Sequence, residues 1–346
     1  RQQIVNVGDP FKPGINMVNS LSCETLTVQM CCDLFGAESA ATTGFVSTGG
    51  SESNMCGVRW AKTKFPQAPF IGGENMHFSL TRAIAMLGGR FCKVGTDATG
   101  AIDLQQLTVV LEGLKGEGVS AVNMLLVCGT TMYEAHDNID STIRILDQVG
   151  YDKSNRYIHV DSAYSGFVLP FLKDVEPGIR VDFARQGISS CSASLHKAFG
   201  SSGCCSIFLV SKDVVDAKYY EVINTTDPTT SCSRNGLSSF EAWTMLVHVT
   251  GTGRAMWSAK WQRCEEKASA FAARLIRNGV EGVVYNKSSV TVVFPKPPGK
   301  LITRYSLVYQ EQVAEVMFNF HNLDGRVSGV FFEEYMQWYN NEREGY

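Results

Sequence analysis

Three stretches of the chain hold side chains whose types and spacing could do chemistry. The first, Ser47-Thr48-Gly49-Gly50-Ser51-Glu52-Ser53-Asn54, is a glycine turn between an apolar run and a helical pattern. Such a turn leaves backbone N–H groups free at a helix start, where the partial positive charge favours a phosphate. Glycine also serves any position that needs positive φ, so the same turn can be plain punctuation. The second, Tyr157-Ile158-His159-Val160-Asp161-Ser162-Ala163-Tyr164, puts a carboxylate at the end of an apolar strand, where ligands of open α/β sheets bind. Aspartate is a favoured helix cap as well. The third, Ser192-Ala193-Ser194-Leu195-His196-Lys197, again follows a short strand. An amine in a partly buried setting is pushed toward its neutral, nucleophilic form and can condense with a carbonyl. A solvated surface lysine is the plain alternative, and the ordered set weighs against it: glycine turn, His77, strand-terminal Asp161, then Lys197, 36 positions further on.

Other chemistries fit less well. The glycine turn lacks the lysine of a P-loop, and the one G-x-G-x-x-A stretch, Gly116 to Ala121, follows no strand. The 11 cysteines are scattered or adjacent (Cys31-Cys32, Cys204-Cys205), never spaced C-x-x-C, and the six histidines do not complete a zinc pattern. No metal site is expected, and the cysteines read as reduced, mostly buried small apolar residues. His159 shares its strand face with Asp161, so packing and function are both open to it. His136, His248 and His321 are given no role. Trp60, Trp257, Trp261 and Phe331-Phe332 read as core.

Positioning these residues requires an alternation of strands and helices. Phe45-Val46, Val122 to Val127, Tyr157 to Val160, Ile188 to Ala193 and Ser206 to Val210 have strand character, with helices after Ser51 and after Asn138. That order predicts a mostly parallel central sheet with right-handed crossovers. Ahead of it, Ser22 and Glu24 start a helix that ends at Gly36. Beyond Gly251 come a long charged helix, Trp257 to Asn278, and a β pair, Val283 to Tyr285 with Val290 to Phe294. The expected division is an N-terminal arm and helix (1–36), a large domain (37–250) and a small α+β domain (251–346).

With 346 residues, 44% hydrophobic and 19% charged, the chain can bury a large core. A net charge of -3 with no basic tract argues against nucleic acid or an anionic membrane as partner. No apolar run approaches the ~18 residues of a membrane span, and Arg1-Gln2-Gln3 does not begin a signal-peptide pattern, so a cytoplasmic protein is expected.

As a set, these stretches resemble the group II pyridoxal-phosphate-dependent amino-acid decarboxylases, most closely histidine and serine decarboxylases. The matching segments are Asn6 to Pro10, Thr48 to Asn54, His77-Phe78-Ser79, Gly129-Thr130-Thr131, His159 to Ala163, His196-Lys197, Ser233 to Gly236 and Ser288 to Pro295. The resemblance covers nearly the whole chain, although members usually carry a further segment ahead of Asn6. It implies the aspartate-aminotransferase-like fold (fold type I) and pyridoxal 5'-phosphate held by Lys197 as a Schiff base. Asp161 would pair with the ring nitrogen and keep it protonated, His77 would stack on one ring face and Ala163 lie beneath the other. Gly50, Ser51, Ser194 and His196 would contact the phosphate, with Thr130 or Thr131 near the ring substituents. The implied partner set is an amino-acid substrate and a second copy of the chain, a homodimer with the site at its interface that Ser231 or Ser233 could reach across.

The match departs in segments that handle substrate. Relatives protonate the α-carbon with a loop tyrosine, and Val222 stands at that position, with Tyr219 and Tyr220 just before it. Met17 replaces a tyrosine in the segment through which substrate enters, and Gly203-Cys204-Cys205 replaces Pro-Cys-Gly. Three readings follow: an α-decarboxylase, a pyridoxal-phosphate enzyme with altered outcome (aldehyde formation or transamination), and a non-catalytic relative.

Overall fold

The computed structural model describes residues 3–320 and 326–344; His321 lies outside them. Its centre is a seven-stranded sheet of β1 (Thr42–Ser47), β2 (Phe70–Gly73), β3 (Phe91–Val94), β4 (Val122–Val127), β5 (Arg156–Asp161), β6 (Ser190–Ser194) and β7 (Ser206–Ser211), in the order β1-β7-β6-β5-β4-β2-β3. Every pairing from β6 through β3 is parallel, and only β7 runs against its neighbours β1 and β6. The reason lies in chain length. A parallel return needs a crossover of a dozen or more residues, usually a helix, whereas β6 and β7 are joined by the short connection 195–205. That connection carries Lys197 back across the same edge of the sheet.

β1, β4 and β5 are buried along their whole length, as expected of strands covered on both faces. Helix α1 (Leu21–Leu34) covers one side of β1, and α2 (Gly50–Lys64) packs on β5, β6 and β7. α1 begins one residue after Ser20 rather than at Ser22, because Ser20 leaves its hydroxyl for the Gly236 carbonyl (2.7 Å) and for Asn6. Its end is as read: Gly36 takes φ 61 and Ala37 N–H returns to the Cys32 carbonyl. Beneath α1, the Glu24 carboxylate accepts bonds from Arg234 (2.8 Å), Asn6 (2.7 Å) and the Val46 amide (2.9 Å), tying arm, helix and sheet at one buried point.

The C-terminal part follows a long helix, Arg254–Arg277, with a three-stranded antiparallel sheet in which Thr291–Pro295 pairs with Val313–Met317, and that strand with Val308–Gln310. The expected partner, Val283 to Tyr285, makes only the single bridge Val284–Val293, on the opposite edge of Thr291–Pro295 from Val313–Met317. Trp60, Trp261, Phe331 and Phe332 are buried and Trp257 partly so. All 11 cysteines are free, seven of them buried. Among the described residues no helix is long and apolar enough to cross a membrane.

Candidate active site

One cavity gathers the carboxyl ends of the parallel strands. Thr48, Gly49 and Gly50 follow β1, His77 follows β2, Gly129, Thr130 and Thr131 follow β4, Asp161 ends β5, and His196 and Lys197 follow β6. Because β7 is antiparallel, its beginning lies at this edge too and adds Cys204. Ala163, Ser51 and Tyr164 complete the sequence-identified wall. Ser194 does not line the cavity: it sits behind Gly50, its Oγ 2.6 Å from that of Ser206.

The start of α2 supplies a cradle. Gly49 occupies the cap position with φ 152, a conformation that favours glycine, and no side chain caps the helix. A side chain at Gly50 would press within 3.2 Å of Ala163 Cβ and Ser194 Oγ, so the backbone stays bare. Glu52, the one acidic neighbour on this turn, has its oxygens turned to Thr48 (2.7 Å) and Ser231 (2.6 Å). Uncapped N–H groups at the end of a 15-residue helix make an anion site.

Asp161 is almost wholly buried at the cavity floor. It accepts from Asn54 Nδ2 (2.7 Å), the Ala163 amide (3.1 Å) and Ser192 Oγ (3.3 Å). His77 caps helix α3 (Phe78–Met86) and is half-buried; its Nδ1 lies 2.7 Å from Ser79 Oγ. Burial lowers its pKa, Asp161 opposes that, and Lys197 and Arg82 add to it. Lys197, expected in a partly buried setting, is exposed instead: its four-residue helix, Leu195–Ala198, starts straight from β6 and projects the amine into the open cavity, 5.9 Å from the Tyr164 ring centre. Thr130 is buried and folds its hydroxyl onto the Ala135 amide (3.1 Å), whereas Thr131 is exposed.

His159 is fully buried behind Asp161, with Nε2 3.1 Å from Asn54 Oδ1 and Nδ1 2.8 Å from Ser190 Oγ; burial pushes its pKa down to about 4. Further out, Glu134 (φ 42) turns from the Thr130 loop to accept from Ser289 Oγ and Val290 N, both at 2.8 Å. Burial raises its pKa to about 7, and burial together with Glu134 raises that of Glu315 to about 8.

Two kinds of residue escaped the sequence reading. Asn54 received no role although it stands one helical turn beyond Gly50, nor did Ser190 and Ser192, which with Ser194 form a period-two stripe facing α2. Conversely, Tyr219, Tyr220, Val222 and Met17 are absent from the cavity wall. Lys218–Tyr220 pairs with Thr225–Asp227 in a hairpin that rests on the N-terminal arm, where Thr226 Oγ1 donates to Asp9 (3.0 Å). Ser231 turns to Glu52, and Ser233 pairs with Val7.

An uncapped helix start for a phosphate, a carboxylate at the floor and an amine reaching inward fit pyridoxal 5'-phosphate. Comparison with known proteins agrees. The model of the pyridoxal-dependent decarboxylase conserved domain matches residues 18–296. Histidine decarboxylase of Vibrio campbellii is 31% identical over 338 residues, 95% of this chain and 84% of that protein. Histidine decarboxylase of Solanum lycopersicum is 28% identical, over 97% of this chain and 80% of its own length. Among solved structures, L-methionine decarboxylase from Streptomyces sp. 590 superposes with a TM-score of 0.84 at 21% identity, covering 97% of this chain and 87% of the other. The fold is therefore that of the type I enzymes, and the chain belongs to the pyridoxal-dependent decarboxylases, carboxy-lyases whose cofactor is pyridoxal 5'-phosphate.

Proposed function

We propose that this chain removes the α-carboxylate of an L-amino acid as carbon dioxide, with histidine or serine as the substrate. The observation that carries the reading is that the Lys197 amine, the Asp161 carboxylate and the uncapped start of α2 open onto one cavity. The cofactor, when bound, supplies a carbonyl that condenses with an amino group and a ring that takes up the electron pair left when a bond at the α-carbon breaks. Lys197 would provide the amine that anchors it. Asp161 would face the ring nitrogen and hold its proton, and His77 and Ala163 would flank the ring. Gly50 and Ser51 would bind the phosphate at the helix start, with His196 beside them and Ser194 behind Gly50, and Thr130 or Thr131 would meet the ring substituents. Histidine stands first because the relatives named above are histidine decarboxylases.

The exposed hairpin favours a second reading. Neither Tyr219 nor Tyr220 of the hairpin lines the chain's own cavity, so a slow proton return would let oxygen or transamination divert the product to an aldehyde, or leave a non-catalytic relative. A second copy of the chain, bringing its hairpin or Ser231 and Ser233 to this cavity, would restore a donor, and we include such a homodimer in the proposal, together with the division into 1–36, 37–250 and 251–346. Carbon dioxide release from a panel of L-amino acids, with amine and aldehyde measured side by side, tests the readings. Amine matching carbon dioxide supports decarboxylation, aldehyde supports the altered outcome, and neither product from any amino acid overturns both of these and leaves the non-catalytic relative.

A further inference from the structure

Asn54 stands where four buried side chains meet. Its Nδ2 donates to Asp161 Oδ2 (2.7 Å) and to Ser79 Oγ (3.0 Å), and its Oδ1 accepts from Ser192 Oγ (2.8 Å) and faces His159 Nε2 (3.1 Å). Both amide hydrogens and the amide oxygen are therefore engaged, in a site where an unmade bond costs the full desolvation of its group.

The direction of every neighbouring bond follows from this amide. A carboxylate accepts, so Asn54 must present its NH2 to Asp161 and its oxygen to His159. His159 then carries its proton on Nε2, and Nδ1 accepts from Ser190 Oγ at 2.8 Å. Ser190 in turn accepts from the Tyr157 hydroxyl, also at 2.8 Å. The result is a one-way chain, Tyr157 to Ser190 to His159 to Asn54 to Asp161, in which each bond polarises the next. The second amide hydrogen starts a shorter branch. The Ser79 backbone N–H already donates to His77 Nδ1 (3.2 Å), which leaves the His77 proton on Nε2, and the Ser79 hydroxyl, having accepted from Asn54, adds its own hydrogen at the same nitrogen (2.7 Å).

We infer that Asn54 is a positioning residue for the decarboxylation: through one amide it sets the orientation of Asp161 and, by way of the Ser79 hydroxyl, steadies the His77 ring. The inference rests on the roles proposed above for Asp161 and His77, and it assigns the buried His159 to the same line as a neutral relay. A residue that only filled space would tolerate an isostere, whereas one that works by donating would not.

Asn54→Asp separates these cases. It keeps the shape of the side chain but sets two carboxyl groups face to face, and such a pair holds one proton at moderate pH and loses it as pH rises. While the proton is shared, the introduced carboxyl donates to Asp161 as the amide did; once it is gone, the bond becomes a repulsion. The expected result is turnover, relative to the parent, that falls at least about 10-fold as pH rises through the loss of that proton. Affinity of the cofactor-free protein for pyridoxal 5'-phosphate, read by absorbance titration, should weaken over the same pH range. A turnover ratio and cofactor affinity that stay flat with pH overturn the inference. Should Asn54→Asp fail to fold, Asn54→Ser, which keeps one donor but cannot span to His159, is expected to lose turnover without a new pH dependence, and parent-like turnover there overturns the inference equally. Asp161→Asn is the reference: if it matches the parent, the reading of Asp161 itself has failed. If Asp161→Asn is crippled while both Asn54 variants behave as the parent, only the inference about Asn54 falls.

Discussion

Asp161, Asn54, His159 and Ser192 are almost wholly buried and bonded to one another, whereas Tyr219, Tyr220 and Val222 stand 59%, 48% and 81% exposed on a two-stranded hairpin. Both regions are ones that the resemblance ties to the reaction, yet they are held by different physics. The first is a polar network inside a core, where each group has a partner and replacement of one leaves another unpaired. The second is a hairpin, marginal on its own and fastened by a few bonds to the arm. Residues in the hairpin can change at little cost in stability, and the departures from the family pattern, Val222 and the 88%-exposed Met17, lie in such places.

The comparison can be broken first at the cavity. Lys197→Ala should lose turnover altogether, together with the visible absorption band of the purified holoprotein; an unchanged band would remove Lys197 from the site. Asp161→Asn should retain some cofactor and lose turnover by orders of magnitude, since a neutral amide cannot retain the ring proton. Comparable steady-state rates in mutant and parent would refute that role.

Stability sharpens the same contrast. Glu24→Ala strands the buried Arg234 guanidinium and should cost about 3–5 kcal/mol in urea unfolding. Tyr219→Ala in the hairpin should stay within about 0.5 kcal/mol. Equal losses from the two would mean that the hairpin is integral to the core. A smaller effect is expected from pH. The Glu315 carboxyl is raised from 4.5 to about 8 by burial and by Glu134. Between those values the folded state binds a proton that the unfolded chain has released, so this group lowers stability as pH rises through the window. Glu315→Gln should flatten that decline in thermal midpoints measured from pH 5 to 8, with little change at the acid end. A decline of parental slope would exclude Glu315 as its source.

What the sequence discloses follows the same division. Val122 to Val127 and Tyr157 to Val160 are readable as strands because burial on both faces demands continuous apolar runs. Phe70–Gly73 and Phe91–Val94 are not, being four residues long, one of them ending in two glycines and the other carrying a lysine. Asp161 and Lys197 stand out not by position alone but because they follow the glycine turn and His77 in one ordered set. Asn54 does not, since an amide in the first turns of a helix is ordinary until its partners from three other segments are known. The exposure of Lys197 was hidden for a related reason: it depends on how abruptly β6 gives way to a four-residue helix, a boundary that composition does not mark.

The smallest effect tests the exposed region directly. Val222 cannot donate a proton, and Tyr219 OH is engaged with Asn224 Oδ1 at 2.7 Å within its own hairpin. Val222→Tyr places a phenol at the position where relatives carry one, on a segment whose exposure lets the new side chain stand without repacking any core. If proton return limits product quality, the amine-to-aldehyde ratio should rise severalfold while cofactor affinity and stability stay as in the parent. Should the ratio stay the same in a variant that binds cofactor normally, the donor would have to come from elsewhere, and the hairpin would lose its place in the reaction. A fall in cofactor affinity would instead show that the hairpin and the buried wall are coupled, against the division that their burial describes.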